Sequence, residues 1–106
     1  MIATTTFQLE GHQITQYLGI VRGIVVRTPT IGQGIMGSIQ NIVGGKIRAF
    51  TEMCETTRAQ AYDDMVEHAK KLGADAVVGV QYDASEVGEG TEVLCFGTAV
   101  KIQKIT

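Results

Sequence analysis

The sequence is short of the residues that announce most kinds of chemistry. It has no tryptophan, three tyrosines and three phenylalanines, so stacking platforms for nucleic-acid bases are poorly supplied. It has no basic excess: nine Lys and Arg against eleven Asp and Glu give a net charge of −2. No basic field invites nucleic acid or an anionic membrane surface. Two cysteines, Cys54 and Cys95, cannot form a disulfide framework, and the expectation is a cytoplasmic protein with reduced thiols. No apolar run approaches the roughly 18 residues of a membrane span. The opening MIATTTFQLEGHQI has no basic segment followed by an apolar one, so a secretory leader is not expected. One proline, Pro29, interrupts the chain.

Glycine is what the sequence has in plenty: thirteen in 106 residues, above the usual share of about 7%. They are spread along the chain, as turns and close backbone approaches require. The length suits one domain, residues 1–106. A chain this small buries only about 60–70% of its unfolded surface, and an oligomer would bury more.

The organising stretch is residues 52–82. Phe50, Cys54, Ala61, Met65, Ala69 and Leu72 recur at helical spacing and form a narrow apolar stripe. The helix starts as early as Lys46 or at an N-cap such as Thr51. It ends with Lys70 and Lys71 in its last turn and Gly73 as the residue that stops it. A Val-rich buried strand follows over residues 75–82. Gly88, Glu89 and Gly90 then turn a hairpin into a last strand over residues 93–105.

Upstream, residues 1–7 read as a short first strand and Gly11 as a turn. Residues 14–27 form a long β run. Leu18, Ile20, Ile24 and Val26 share one face with Arg22 among them; Tyr17, Val21 and Val25 share the other with Gly19 and Gly23. Apolar residues on both faces predict cover on both, from a helix and from a partner subunit. The two glycines predict a bulge or another backbone passing close. Pro29 breaks the strand, and residues 38–43 read as a short helix stopped by Gly44 and Gly45. The fold class is α+β: a small antiparallel or mixed sheet covered by one long and one short helix.

Several blocks together resemble a known family: LGIVRG, IGQGIMGSIQNIVGG, MVEHAKKLGADAVVGVQYD and SEVGEGTEVLCFGTAV. Over nearly its whole length the chain is similar to the YbjQ-like family, labelled heavy-metal-binding. The resemblance implies a compact α+β subunit, laid out like a dodecin-type subunit, that assembles into a pentameric ring. Cys54 and Cys95 stand where such sequences are more often aliphatic or small, so they are poor carriers of a shared activity.

Candidate sites are few. Gly32, Gly34 and Gly37 match the spacing of a dinucleotide-binding loop, with Glu52 about 20 residues on. Pro29 and Thr30 separate strand from glycines, and the helix after them is under two turns, so the loop is read first as structural; a nucleotide or other small molecule is the alternative ligand. Metal would fall to Cys54, His68 and Cys95, none at a zinc-site spacing. Cys54 and His68 lie about 21 Å apart along the helix, so they cannot share an ion, and Asp64 with His68 offers two ligands at most. Their plainer roles are apolar packing for the cysteines and surface exposure for His68. Asp83, Glu86, Glu89 and Glu92 could gather round a ring axis to hold a hard cation, but a solvated tip that protects an edge is the simpler role. Arg22, on an apolar face, needs a carboxylate such as Asp75 or Glu52, or a subunit interface. No nucleophile–base order nominates an enzyme. The function expected is non-enzymatic: a cytoplasmic homo-oligomer whose partner is itself, with metal ions or small molecules held between subunits.

Overall fold

In a computed structural model, residues 1–27, 45–88 and 90–105 are described. Strand β1 (Ile2–Ala3), strand β2 (His12–Arg27), helix α1 (Gly45–Lys71), strand β3 (Ala76–Val87) and strand β4 (Gly90–Lys104) follow in that order. They make a four-stranded mixed sheet in the order β1-β3-β4-β2. β1 runs parallel to β3, and β4 lies antiparallel to both β3 and β2. The α+β class with one long helix is as expected; residues 38–43, the expected short helix, lie outside the described residues.

The helix begins at Gly45, at the early end of the expected range, so Glu52 and Glu55 fall in its body and its first turn holds no acid. It closes on a Schellman turn. Gly73 has φ +78, its N–H reaches the Lys70 carbonyl at 3.0 Å, and the Ala74 N–H reaches the Ala69 carbonyl at 3.1 Å. Glycine takes that conformation without a Cβ penalty. The apolar stripe is real but shifted. Thr57, Ala61, Met65 and Ala69 are its buried members, Cys54 is half-buried, and Leu72 is 42% exposed. Leu72 follows the last helical turn, where the chain already leaves the helix surface. Thr57 enters because its hydroxyl donates to the Met53 carbonyl at 2.9 Å, which satisfies the polar group locally.

Gly23 and Gly19 divide the two roles expected of them. At Gly23 the helix backbone lies directly on the strand. A Cβ there would collide with the Ala61 carbonyl oxygen and come within 2.6 Å of the Met65 amide nitrogen. Gly19 has φ +114 and sits at a register shift between β2 and β4. That bulge corrects the expected faces. The alternation reverses across it, so Leu18 packs with the helix-side core, while Tyr17 and Ile20 are exposed. Another bulge, between Val78 and Gln81 of β3, uses Gly79 at φ +64. It turns Val80 into the helix-side core with Val77, whereas Val78 joins a small cluster with Ala76 and Val100.

The expected hairpin is present, with strands longer than the polar residues 83–92 suggested. Glu86 pairs with Thr91 and Val87 with Gly90, leaving a turn in which Gly88 has φ +59. Every residue from Gln81 to Val87 is exposed. The molecule measures 57 × 28 × 17 Å.

Candidate functional site

The candidate ligands are positioned by α1 and β4, and the fold keeps them apart. Cys54 is half-buried near the helix start. His68 lies nearly four turns on, near the helix end. It is half-buried rather than exposed, because its ring caps the sheet edge: the Arg22 backbone N–H donates to its Nδ1 at 3.2 Å. That bond engages Nδ1 as an acceptor, and a metal at that nitrogen would have to displace it. Cys95 is fully buried in β4, under the helix. Among the described residues, no three of His, Cys, Asp and Glu gather closely enough to hold an ion. Cys54, His68 and Cys95 therefore do not fit a heavy metal within one chain.

Cys95 has a different set of neighbours. Its thiol donates to the Met65 thioether at 3.6 Å, and Tyr82 stands opposite it on β3. Burial pushes the thiol pKa up, against a smaller pull downward from the hydrogen bond with the Tyr82 phenol. Tyr82 is also raised, first by burial and then by the neighbouring Cys95. A protonated thiol in apolar surroundings is neither a nucleophile nor a ready metal ligand, and Cys95 is a packing residue. No feature of the sequence pointed to Met65 or Tyr82 as its neighbours, since the contacts cross from helix to strand and strand to strand.

A raised pKa means the folded state holds the proton more tightly than the unfolded one. The stabilisation is complete below the ordinary thiol range and is lost as pH climbs through the raised value. The protein should therefore lose thermal stability on the alkaline side, from about pH 9 upward. Cys95→Ala should flatten that decline while leaving the profile below neutrality unchanged. Melting temperatures from pH 6 to pH 11 for both proteins would check it. Equal alkaline slopes would remove the thiol from the account.

Arg22 does not meet its expected partners. Asp75 spends its carboxylate on the Ile102 N–H at 3.0 Å, and Glu52 is exposed on the helix. Among the described residues the one ion pair is Lys70–Glu67, at 3.8 Å. The hairpin acids do not converge either. Asp83 lies opposite Leu94, on the sheet face that carries Arg22 and Glu92, whereas Glu86 lies opposite Thr91 on the other face. Gly32, Gly34, Gly37 and Glu89 lie outside the described residues. A cavity does open at the other end of the sheet. Phe7, Leu9, His12 and Tyr17 are among the residues lining it, and it is a wide surface concavity rather than an enclosed site. No helix among the described residues is long and apolar enough to cross a membrane.

Comparison with known proteins agrees with this architecture. A family model described as "Putative heavy-metal-binding", of the YbjQ type, matches residues 1–103. A UPF0145 protein of Legionella pneumophila strain Philadelphia 1 is 57% identical over 103 residues, 96% of this chain and 98% of the relative. A UPF0145 protein of Francisella tularensis is 48% identical, over 97% of this chain and all of the relative. Among solved structures, a protein of unknown function from Pediococcus pentosaceus, of the DUF74 family, superposes with a TM-score of 0.64. It shares 18% identity, over 97% of this chain and 98% of that one, and so speaks to the fold.

Proposed function

The chain belongs to the YbjQ family, whose description reads "Putative heavy-metal-binding", and on that footing we propose that it is a non-enzymatic subunit of a homo-oligomer that binds its ligands between copies. The carrying observation is surface. Ile20, Ile24 and Val26 of β2 stand 71%, 46% and 49% exposed, an apolar row of the kind that marks an interaction surface when a single chain leaves it in water. The outer hairpin, residues 81–87, is exposed on both of its faces, which is the shape of an arm that lies on a neighbour.

The resemblance to the YbjQ-like family implies closure into a ring of five. Ligands between copies are small molecules or ions, because the single chain brings no complete donor set together among its described residues. Multi-angle light scattering of the purified protein in the cytoplasmic pH range tests the assembly. A particle of five 11.4 kDa subunits, or a multiple of five, is the expected mass. A stable monomer at micromolar concentration would end the reading.

A further inference from the structure

The sheet face turned away from the helix has a defined composition. Ile20, Ile24 and Val26 stand on it, 71%, 46% and 49% exposed, opposite Thr98, Leu94 and Glu92 of β4. The register runs without a shift from Gly19 to Arg27, so these side chains share one face with Arg22, opposite Phe96. The ribbon is about 20 Å long. In its middle stands a charge with no ion-pair partner among the described residues. The acids on the same face are out of its reach. Strand spacing and rise place the Cα atoms of Asp83 and Glu92 about 12 Å and 14 Å from that of Arg22. Asp83 already accepts the Ala84 N–H at 3.0 Å, whereas Glu92 is half-buried and opposite Val26.

We propose that this face seats against the same face of a second copy, and that Arg22 of each copy takes the Glu92 carboxylate of the other. The register supplies the geometry. Arg22 and Val26 are each two residues from Ile24, so turning a copy about the Ile24–Leu94 pair lays the Arg22 row over the Val26–Glu92 row. The Arg22–Val26 stretches of the two copies then cover one another, with an ion pair at each end of the overlap. Sheets stacked face to face lie about 10 Å apart, a gap that an arginine side chain spans. An unpaired Arg22 would oppose burial of this face, and a paired one fixes its register. The inference rests on the self-assembly proposed above and adds a two-fold contact. Such a contact is isologous, so it differs from the head-to-tail contacts that close a ring and would join rings in pairs.

Charge reversal tests it on the intact protein. Arg22→Glu and Glu92→Arg should each raise the dissociation constant for pairing by about tenfold or more, and the double variant should restore it to near the native value. Ile24→Asp should abolish pairing while leaving the circular dichroism of the subunit unchanged, because Ile24 is solvent-exposed in the single chain. Particle mass against concentration is the readout. Assembly that persists unaltered in Arg22→Glu and Ile24→Asp, or a double variant weaker than either single, would overturn this contact and leave self-assembly standing. A monomeric native protein would overturn both.

Discussion

Replacing Gly23 with alanine should lower the melting temperature by about 12 °C or more. The expected cost is about 3 kcal/mol or above, at the upper end of what overpacking produces, and each kcal/mol moves a domain of this size by about 4–8 °C. The reason is where the added atom goes. It meets the Ala61 carbonyl oxygen, the Met65 amide nitrogen at 2.6 Å and the Asp64 Cβ at 2.8 Å. Two of these are helix backbone, which cannot rotate aside. The helix must lift as a body, and lifting it opens the contacts of Ala61, Met65 and Ala69 with Val21, Val25 and Cys95. Backbone conformation is not the cause, since Gly23 has an ordinary φ. Gly11 supplies the contrast: at φ +79 it has open space where its Cβ would be. Gly11→Ala should therefore show only the left-handed backbone cost, about 1 kcal/mol. Thermal unfolding of both variants at one protein concentration checks the order. A Gly23→Ala protein that melts within two or three degrees of the native one would mean that the helix does not rest on this strand.

How far the sequence disclosed this arrangement depended on how local each cause was. The helix, its glycine stop and the β3–β4 hairpin were legible because periodicity, charge at the helix end and turn glycines all act within a few residues. The β2 glycines were legible as a kind of event, a bulge or a close approach, but not as to which was which. Only the pairing with β4 places the bulge at Gly19, and only the helix passing overhead explains Gly23. Periodicity alone therefore put Leu18 on the wrong face, because a bulge adds a residue that no repeat of two can anticipate. Thr57 escaped notice for a related reason: its polarity hides a burial that its own bond to Met53 permits. The candidate site was the least legible part. Cys54, His68 and Cys95 were nominated by chemistry, and their separation is a property of the packed fold. Both residues are engaged elsewhere: His68 Nδ1 accepts the Arg22 N–H, and the Cys95 thiol donates to Met65. These partners lie across the fold, beyond the range of any spacing rule.

Deleting residues 1–8 should destabilise the protein by about 3–4 kcal/mol, though β1 is only two residues long. The segment is a clamp on the β3 bulge rather than a strand in its own right. Thr4 donates to the Val77 carbonyl at 3.0 Å, and its own carbonyl accepts the Val80 N–H at 3.0 Å. The Thr6 carbonyl accepts the Gly79 N–H at 2.8 Å. Each of these bonds contributes about 1 kcal/mol net, and a bulge left with bare donors costs more than that mean. The Phe7 ring edge closes the space over Gly79, within 2.9 Å of where a Cβ would stand. The clamp also fixes register. The bulge sets which face Val80 and all later residues of β3 occupy, and a slip of one residue would exchange those faces. The truncated protein should therefore lose amide protection at Val77, Gly79 and Val80 first, and show weaker order along residues 81–87, while the helix contact at Gly23 persists. Hydrogen exchange read residue by residue separates this from general unfolding. Uniform loss across α1 and β3 would show that the arm supports the whole core, whereas unchanged protection at Gly79 and Val80 would show that the bulge holds its register without it.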